Sequence, residues 1–246
     1  MTSSQLWGRA EAERYDTEET RMTSAAVLGP TVDFLAELAG GGRALEFAVG
    51  TGRVAVPLRE RGVPVVGIEF SEHMAAVLRR KADAETLPVV IGDMATTTVP
   101  GEFSLVYLVY NTISNLLTQE EQVECFRNAA RHLGPGGRFV IELGVPPLRL
   151  LPPGQVAVPF DVSAGHIGFD TFDLVGQILV SHHLTRDGSA GGYRRDASRH
   201  RYAWPAELDL MARIAGLEPE RRVADWDGSP FTQESTKHVS VWRRPL

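Results

Sequence analysis

The sequence predicts a doubly wound α/β sheet that carries an inserted antiparallel β-sheet. Three observations predict it. Between residues 43 and 143, apolar runs of strand length alternate with stretches of helical periodicity, as in βαβ units whose parallel strands are covered on both faces. Gly50 and Gly52 stand at the first strand-to-helix turn, and the acid Glu69 closes the second strand. Over residues 155–202 the helical spacing disappears and only β-type alternation remains.

Taken in order, the chain to about Gly42 reads as helical, with a break at Gly29-Pro30 that sets Pro30 at the first position of a new helix. Phe34, Leu35 and Leu38 give that helix its inward stripe, and Gly40-Gly41-Gly42 ends it. A buried strand over 44–49 runs through the glycine turn into a helix over 53–61. A second strand over 64–68 follows and ends on Glu69. Ser71 is a good N-cap for a helix whose Met74, Val77, Leu78 and Lys81 share a face. A short buried strand over 88–91 ends in Gly92-Asp93, and 103–110 (FSLVYLVY) is a fourth strand.

Thr118 and Glu121 have capping-box spacing, so a helix starts there, with Val123, Phe126, Ala130 and Leu133 facing inward. Gly134-Pro135-Gly136-Gly137 reads as its stop, before a fifth strand over 138–143. In the insertion, turn signals stand at Val175-Gly176 and Asp187-Gly188. A helix from Pro205, with Leu208, Met211 and Ala215 on one face and Gly216 as its stop, leads to two last strands over 218–226 and 237–244. The division is a main domain of residues 1–154 and 203–246 and an antiparallel β insertion of residues 155–202.

Composition narrows the function. At 246 residues and 43% hydrophobic the chain can bury a full core. A net charge of −6 argues against broad binding to nucleic acid or to an anionic membrane. The single cysteine, Cys125, leaves no intrachain disulfide, and the charged first residues carry no signal or anchor pattern. A cytoplasmic protein is expected.

The βαβ unit points to a nucleotide. Glycines at 50 and 52 let the backbone turn tightly and approach a ligand, the following helix offers free N–H groups, and Glu69 can accept from both ribose hydroxyls. Gly50-x-Gly52-x-x-Ala55, with Glu69 19 positions after Gly50, also satisfies the dinucleotide fingerprint. On this unit alone, a nicotinamide-dependent oxidoreductase and an adenosyl-cofactor enzyme both remain open.

The wider pattern resembles the class I S-adenosylmethionine-dependent methyltransferases of the small-molecule type. Glu46-Phe-Ala-Val-Gly50-Thr-Gly52 is similar to their acidic glycine-rich first motif, with Ala48 where a first glycine is common. Glu69 matches their ribose-binding acid. Gly92-Asp93-Met94 is similar to the strand tip that faces adenine, and Tyr110-Asn111 falls where the family lines the methionine end of the cofactor and the acceptor. The resemblance covers residues 43–143 and 205–246 and implies a seven-stranded Rossmann-like sheet ending in an antiparallel strand. It also implies S-adenosylmethionine as cofactor and methyl transfer to an O or N atom of a small-molecule acceptor. A phosphate-free cofactor suits a line of acids at Glu46, Glu69 and Asp93, where a pyrophosphate would be repelled.

The resemblance implies cofactor contacts from Glu46, Ala48, Gly50, Gly52, Glu69, Asp93, Met94 and Tyr110. Phe70 and Met74 are placed to pack on adenine, and Tyr15 to fold over the cofactor. Asn111, Trp226 and Phe231 are expected to face the acceptor, with the insertion as the wall of its pocket, as a homodimer interface, or as both.

No residue reads as an obligatory base. Among the histidines, His166, His182 and His200 lead because the insertion can cover the site, while His73 and His132 read as solvated helix positions. His182 and His183, adjacent on a strand, point to opposite faces, and no metal site is expected. Arg194, Arg195, Arg199 and Arg201 read either as a solvated hairpin or as a seat for an anionic acceptor. A non-catalytic S-adenosylmethionine-binding protein is the remaining alternative.

Overall fold

The computed structural model describes residues 8–18, 24–186 and 192–246. Helices α1 (Arg9–Glu18) and α2 (Ala25–Ala39) precede the first strand. The main sheet follows as β1 (Ala44–Phe47), α3 (Ala55–Glu60), β2 (Val65–Glu69), α4 (Glu72–Leu78), β3 (Val89–Ile91), β4 (Phe103–Leu108), α5 (Gln119–His132) and β5 (Leu133–Gly144). Four strands come next: β6 (Ala157–Val162), β7 (His166–Asp173), β8 (Ile178–Arg186) and β9 (Tyr193–Arg201). Helix α6 (Pro205–Ile214), β10 (Glu218–Val223) and β11 (Lys237–Arg243) return to the main sheet.

The seven main strands take the order β10-β11-β5-β4-β1-β2-β3. All pairs from β5 to β3 are parallel, and β11 is antiparallel to both β5 and β10. Strand alternation divides the core between two faces. Phe47, Phe139 and Trp242 point toward α5 and α6, where Phe126 meets the Phe139 and Trp242 rings edge-on at 5.0 and 5.2 Å. Tyr107, Val140 and Val241 point the other way, onto Val32 and Leu35 of α2 and Leu58 of α3.

The capping box at Thr118 and Glu121 forms in both directions. Ser71 caps α4, its hydroxyl accepting from the Met74 amide at 3.3 Å. The turn at Val175-Gly176 forms as well, with Asp173 accepting from both amides. The second insertion turn, at Asp187-Gly188, lies outside the described residues.

Several elements differ from the expectation. Pro30 does not open a helix. It lies inside α2, which starts at Ala25 behind Ser24, and the buried stripe of Leu28, Val32 and Leu35 outweighs the hydrogen bond that proline forfeits. Gly134 to Gly137 are not a helix stop outside the sheet. Strand β5 begins at Leu133, directly after α5, and the glycine stretch makes a register shift against β4. A Cβ on Gly137 would lie 3.0 Å from the Phe103 carbonyl oxygen, so the close approach selects glycine. Strand β3 is the sheet's edge and only half-buried. Helix α4 ends at Leu78, before Lys81.

His132 is buried, not solvated. Its Nε2 accepts from the Val99 amide at 2.8 Å, and its Nδ1 faces the Asn128 carbonyl oxygen at 2.8 Å. His73 is exposed, as expected.

The insertion is a four-stranded antiparallel meander, β6-β7-β8-β9. Arg201 roots it in the main body. Its buried guanidinium pairs with Glu207 of α6 at 2.6 Å and donates to Gln177 at 2.9 Å and Gln122 of α5 at 2.5 Å. The Gln122 amide donates in turn to the carbonyls of Ile113, Leu116 and Arg201. This ties β9 to a 3-10 turn, Thr112–Asn115, at the tip of β4. Among the described residues no helix is long and apolar enough to cross a membrane.

Candidate active site

Ala48, Gly50 and Gly52 all take positive φ, at 53°, 57° and 79°. At Gly52 a Cβ would also meet the Leu78 and Val56 side chains at 3.1 Å. Ala48 bears the strain of a left-handed conformation without being glycine.

The tip of β2 fastens this turn. Glu69 accepts from the Gly50 amide at 2.8 Å through Oε2 and from the Ser71 amide at 2.7 Å through Oε1. Burial pushes the Glu69 carboxyl above its ordinary range, against the amides of Ser71, Gly50 and Phe70 that favour the charged form. At the tip of β3, Asp93 accepts from the Ala95 amide at 2.7 Å.

These strand tips open on a cavity of about 100 Å³. Ala48, Gly50, Glu69, Phe70, Met74, Asp93 and Met94 line it together with Gly92 and with Tyr15 of α1. Eight of the eleven residues expected around the cofactor thus line one space. Thr112, Asn115 and Leu116 complete the lining and were not anticipated. Their one sequence signal is position, just past the tip of β4.

The other expected residues lie apart. Glu46 is buried outside the cavity lining, where the Tyr107 hydroxyl donates to its Oε2 at 2.9 Å. Burial pushes Glu46 up to about 8, opposed by the Tyr107 hydrogen bond and by Arg53. Burial and Glu46 push Tyr107 well up in turn. Gly52 shapes the turn without lining the cavity. Tyr110 stands beside it, with the Arg53 guanidinium 5.2 Å from its ring centroid.

A second cavity, of about 370 Å³, opens beyond Tyr110. Val109, Glu142 and Trp226 line it together with the charged groups of Arg53, Asp225, Asp227 and Lys237. Lys237 pairs with Asp225 at 2.8 Å, and Trp226 packs edge-on against Phe34 at 5.5 Å. Of the residues expected at the acceptor, only Trp226 lines this space. Phe231 packs against the His238 ring at 5.8 Å, and the Asn111 Oδ1 accepts from the Gly144 amide at 2.6 Å.

The histidines of the insertion meet one another and their strands, although Nδ1 of His182 and Nδ1 of His200 are buried without a partner. Asp161 and His166 approach to 2.6 Å, His166 and His183 to 3.0 Å, His182 and Thr171 to 3.0 Å, and His200 and Ser198 to 2.8 Å. None of them lines either cavity. Among the described residues no group of three His, Cys, Asp or Glu is placed to hold a metal. Arg201 is buried in its ion pair, separate from Arg194, Arg195 and Arg199.

Residues 44–137 match the sequence model of a methyltransferase domain. The fold matches the CcbJ methyltransferase from Streptomyces caelestis with a TM-score of 0.79 and 38% identity, over 88% of this chain and 89% of that one. The chain belongs to the class I S-adenosylmethionine-dependent methyltransferases. Two further relatives extend over nearly whole chains. The cypemycin N-terminal methyltransferase of a Streptomyces species is 28% identical over 99% of this chain and 100% of its own. The sugar N-methyltransferase KedS8 from Streptoalloteichus sp. is 25% identical, with a TM-score of 0.63, over 89% of this chain and 88% of its own. Membership makes S-adenosylmethionine the cofactor of this methyltransferase and closes the dinucleotide alternative.

Proposed function

We propose that this methyltransferase methylates the nitrogen of a small-molecule amine. The observation that carries this reading is the second cavity, where Glu142, Asp225 and Asp227 outnumber Arg53 and Lys237. An acidic cavity with an indole wall favours a cationic guest with an apolar body. One relative supports it by name, the sugar N-methyltransferase KedS8, and the cypemycin enzyme is named for methylation at an N-terminus.

The first cavity fits the adenosyl part of the cofactor. Its lining has two carboxylates and no lysine or arginine, as a phosphate-free nucleoside requires. In this reading Glu69, which spends one lone pair on each amide, accepts from the ribose hydroxyls with those that remain. Asp93 and the Met94 amide face the adenine edge, Phe70 and Met74 hold its faces, and Tyr15 excludes water. Glu46 and Gly52 act indirectly, by holding the turn that carries Gly50.

The cofactor supplies an electrophilic methyl group when bound. The protein's part is to hold an uncharged amine in line with that methyl, an effect of up to roughly 7–11 kcal/mol in the best cases. The acidic cavity that attracts the ammonium form also holds its proton, so the amine must release that proton, to solvent or to a lining carboxylate, before transfer.

The insertion adjoins the cofactor side in this proposal, because β9 is bound through Gln122 to the turn at Thr112–Asn115 that lines the first cavity, and none of its described residues lines the second. The exposed Phe160 and Val162 of β6 suit a homodimer contact, which light scattering tests. A cytoplasmic setting agrees with the buried, unpaired Cys125.

The test is transfer of labelled methyl to a panel of amines and matched alcohols. Label on amines alone is the expected result. Label on alcohols alone overturns the assignment to nitrogen.

A further inference from the structure

Tyr110 and Asn111 follow β4 with φ of 55° and 60°, two consecutive non-glycine residues in the left-handed region. Asparagine tolerates that conformation, whereas tyrosine does not favour it, and such a pair persists only where its surroundings impose it. Here β5 imposes it. Glu142 Oε2 accepts from the Tyr110 amide at 2.9 Å, and the Glu142 carbonyl accepts from the Asn111 amide at 3.2 Å. Asn111 Oδ1 accepts from the Gly144 amide at 2.6 Å. The Asn111 carbonyl is held as well, by the Ser114 hydroxyl at 2.6 Å and the Ser114 amide at 2.9 Å.

The turn occupies a particular place. Val109, just before it, lines the second cavity, and Thr112, just after it, lines the first. It is therefore the partition between them. A pair of glycines would make the same reversal without strain, but would present no ring for the Arg53 guanidinium to lie over.

We infer that Glu142 and Asn111 are positioning residues for methyl transfer. They clamp the Tyr110-Asn111 partition so that acceptor and methyl group meet in line across it. The inference rests on the reading above that the two cavities hold cofactor and acceptor. It gives Asn111 a different part from direct contact with the acceptor, because its side-chain oxygen is already engaged by Gly144.

The test uses the full chain and four variants. Glu142→Ala and Asn111→Gly remove the clamp, the second while relieving the left-handed strain at Asn111. Glu142→Gln and Asn111→Asp keep an accepting oxygen. Hydrogen exchange at the Tyr110 and Gly144 amides, S-adenosylhomocysteine affinity by calorimetry, and kcat with whichever amine or alcohol the panel identifies are measured on each.

The expected result for the first two variants is faster exchange at the amide released and a kcat lower by about 10- to 100-fold. Cofactor-product affinity stays within about threefold in all four, and the conservative pair recovers most of the turnover. Unchanged exchange in Glu142→Ala overturns the clamp. Unchanged kcat despite faster exchange overturns its role in transfer, and so does a loss of cofactor-product affinity as large as the loss of kcat. An acceptor that proves to be an alcohol sinks the amine assignment and leaves this comparison intact.

Discussion

The Glu69 carboxylate accepts from the Gly50 amide at 2.8 Å, so the acid at the tip of β2 holds the glycine turn at the tip of β1. One side chain thus shapes the cavity and lines it. This double use decides how its removal should be read.

Glu69→Ala should cost about 1.5–3 kcal/mol or more of cofactor affinity, the scale of charge-assisted hydrogen bonds. Part of that loss will come from a looser Gly50 turn. Glu69→Gln, which keeps one accepting oxygen, should fall between the two. Calorimetry with S-adenosylhomocysteine measures both, and unchanged affinity in a folded Glu69→Ala protein excludes the role.

Glu46 sets a slope of stability against pH. Its carboxyl is raised to about 8 in the folded protein, from 4.5 in the unfolded chain. The folded state therefore holds a proton that the unfolded chain has released, and stability falls as pH rises from about 4.5 through about 8. Glu46→Gln has no proton to lose and keeps an acceptor for the Tyr107 hydroxyl. Its melting temperature should fall less than that of the wild type between pH 6.5 and 8. Parallel melting curves for the two proteins count against a neutral Glu46.

Acid acts through two other buried groups. Burial lowers His132, and burial together with Arg222 lowers His238 to about 4, from an ordinary 6.5. Below pH 6.5 the unfolded chain takes up protons that the folded one refuses, so stability falls as pH drops toward 4. His238→Gln should flatten part of that slope in denaturant titrations at pH 4 to 6.5. An unchanged slope would mean that His238 takes up its proton in place.

Arg201 is a structural group. With Arg201→Ala, Glu207, Gln122 and Gln177 lose a buried partner, and the expected destabilisation is about 3–5 kcal/mol. Arg195→Ala, on the exposed part of the same strand, should change stability by no more than about 0.5 kcal/mol. Chemical denaturation of both variants distinguishes the root of the insertion from its surface.

The sequence by itself determined the architecture and most of the first cavity's lining. Helical and strand periodicity, the capping box at Thr118, the Ser71 cap and the spacing of Gly50 to Glu69 are local signals, each resolved within a few residues or one βαβ unit. The tips of β1, β2 and β3 follow from that local grammar, and so Ala48, Gly50, Glu69, Phe70, Met74, Asp93 and Met94 meet at one cavity. Only the tertiary structure decided what depends on distant partners. Leu28, Val32 and Leu35 keep Pro30 inside a helix because they pack against the sheet. His132 is buried because Val99, 33 residues away, donates to it, and Glu46 is turned inward because Tyr107 meets it there. The second cavity and the clamp at Tyr110-Asn111 arise where β4, β5, α2 and the end of β10 converge. A solitary Glu142 or Trp226 carries no local pattern of that encounter, since burial and hydrogen-bond pairing belong to the packed whole and not to any single segment.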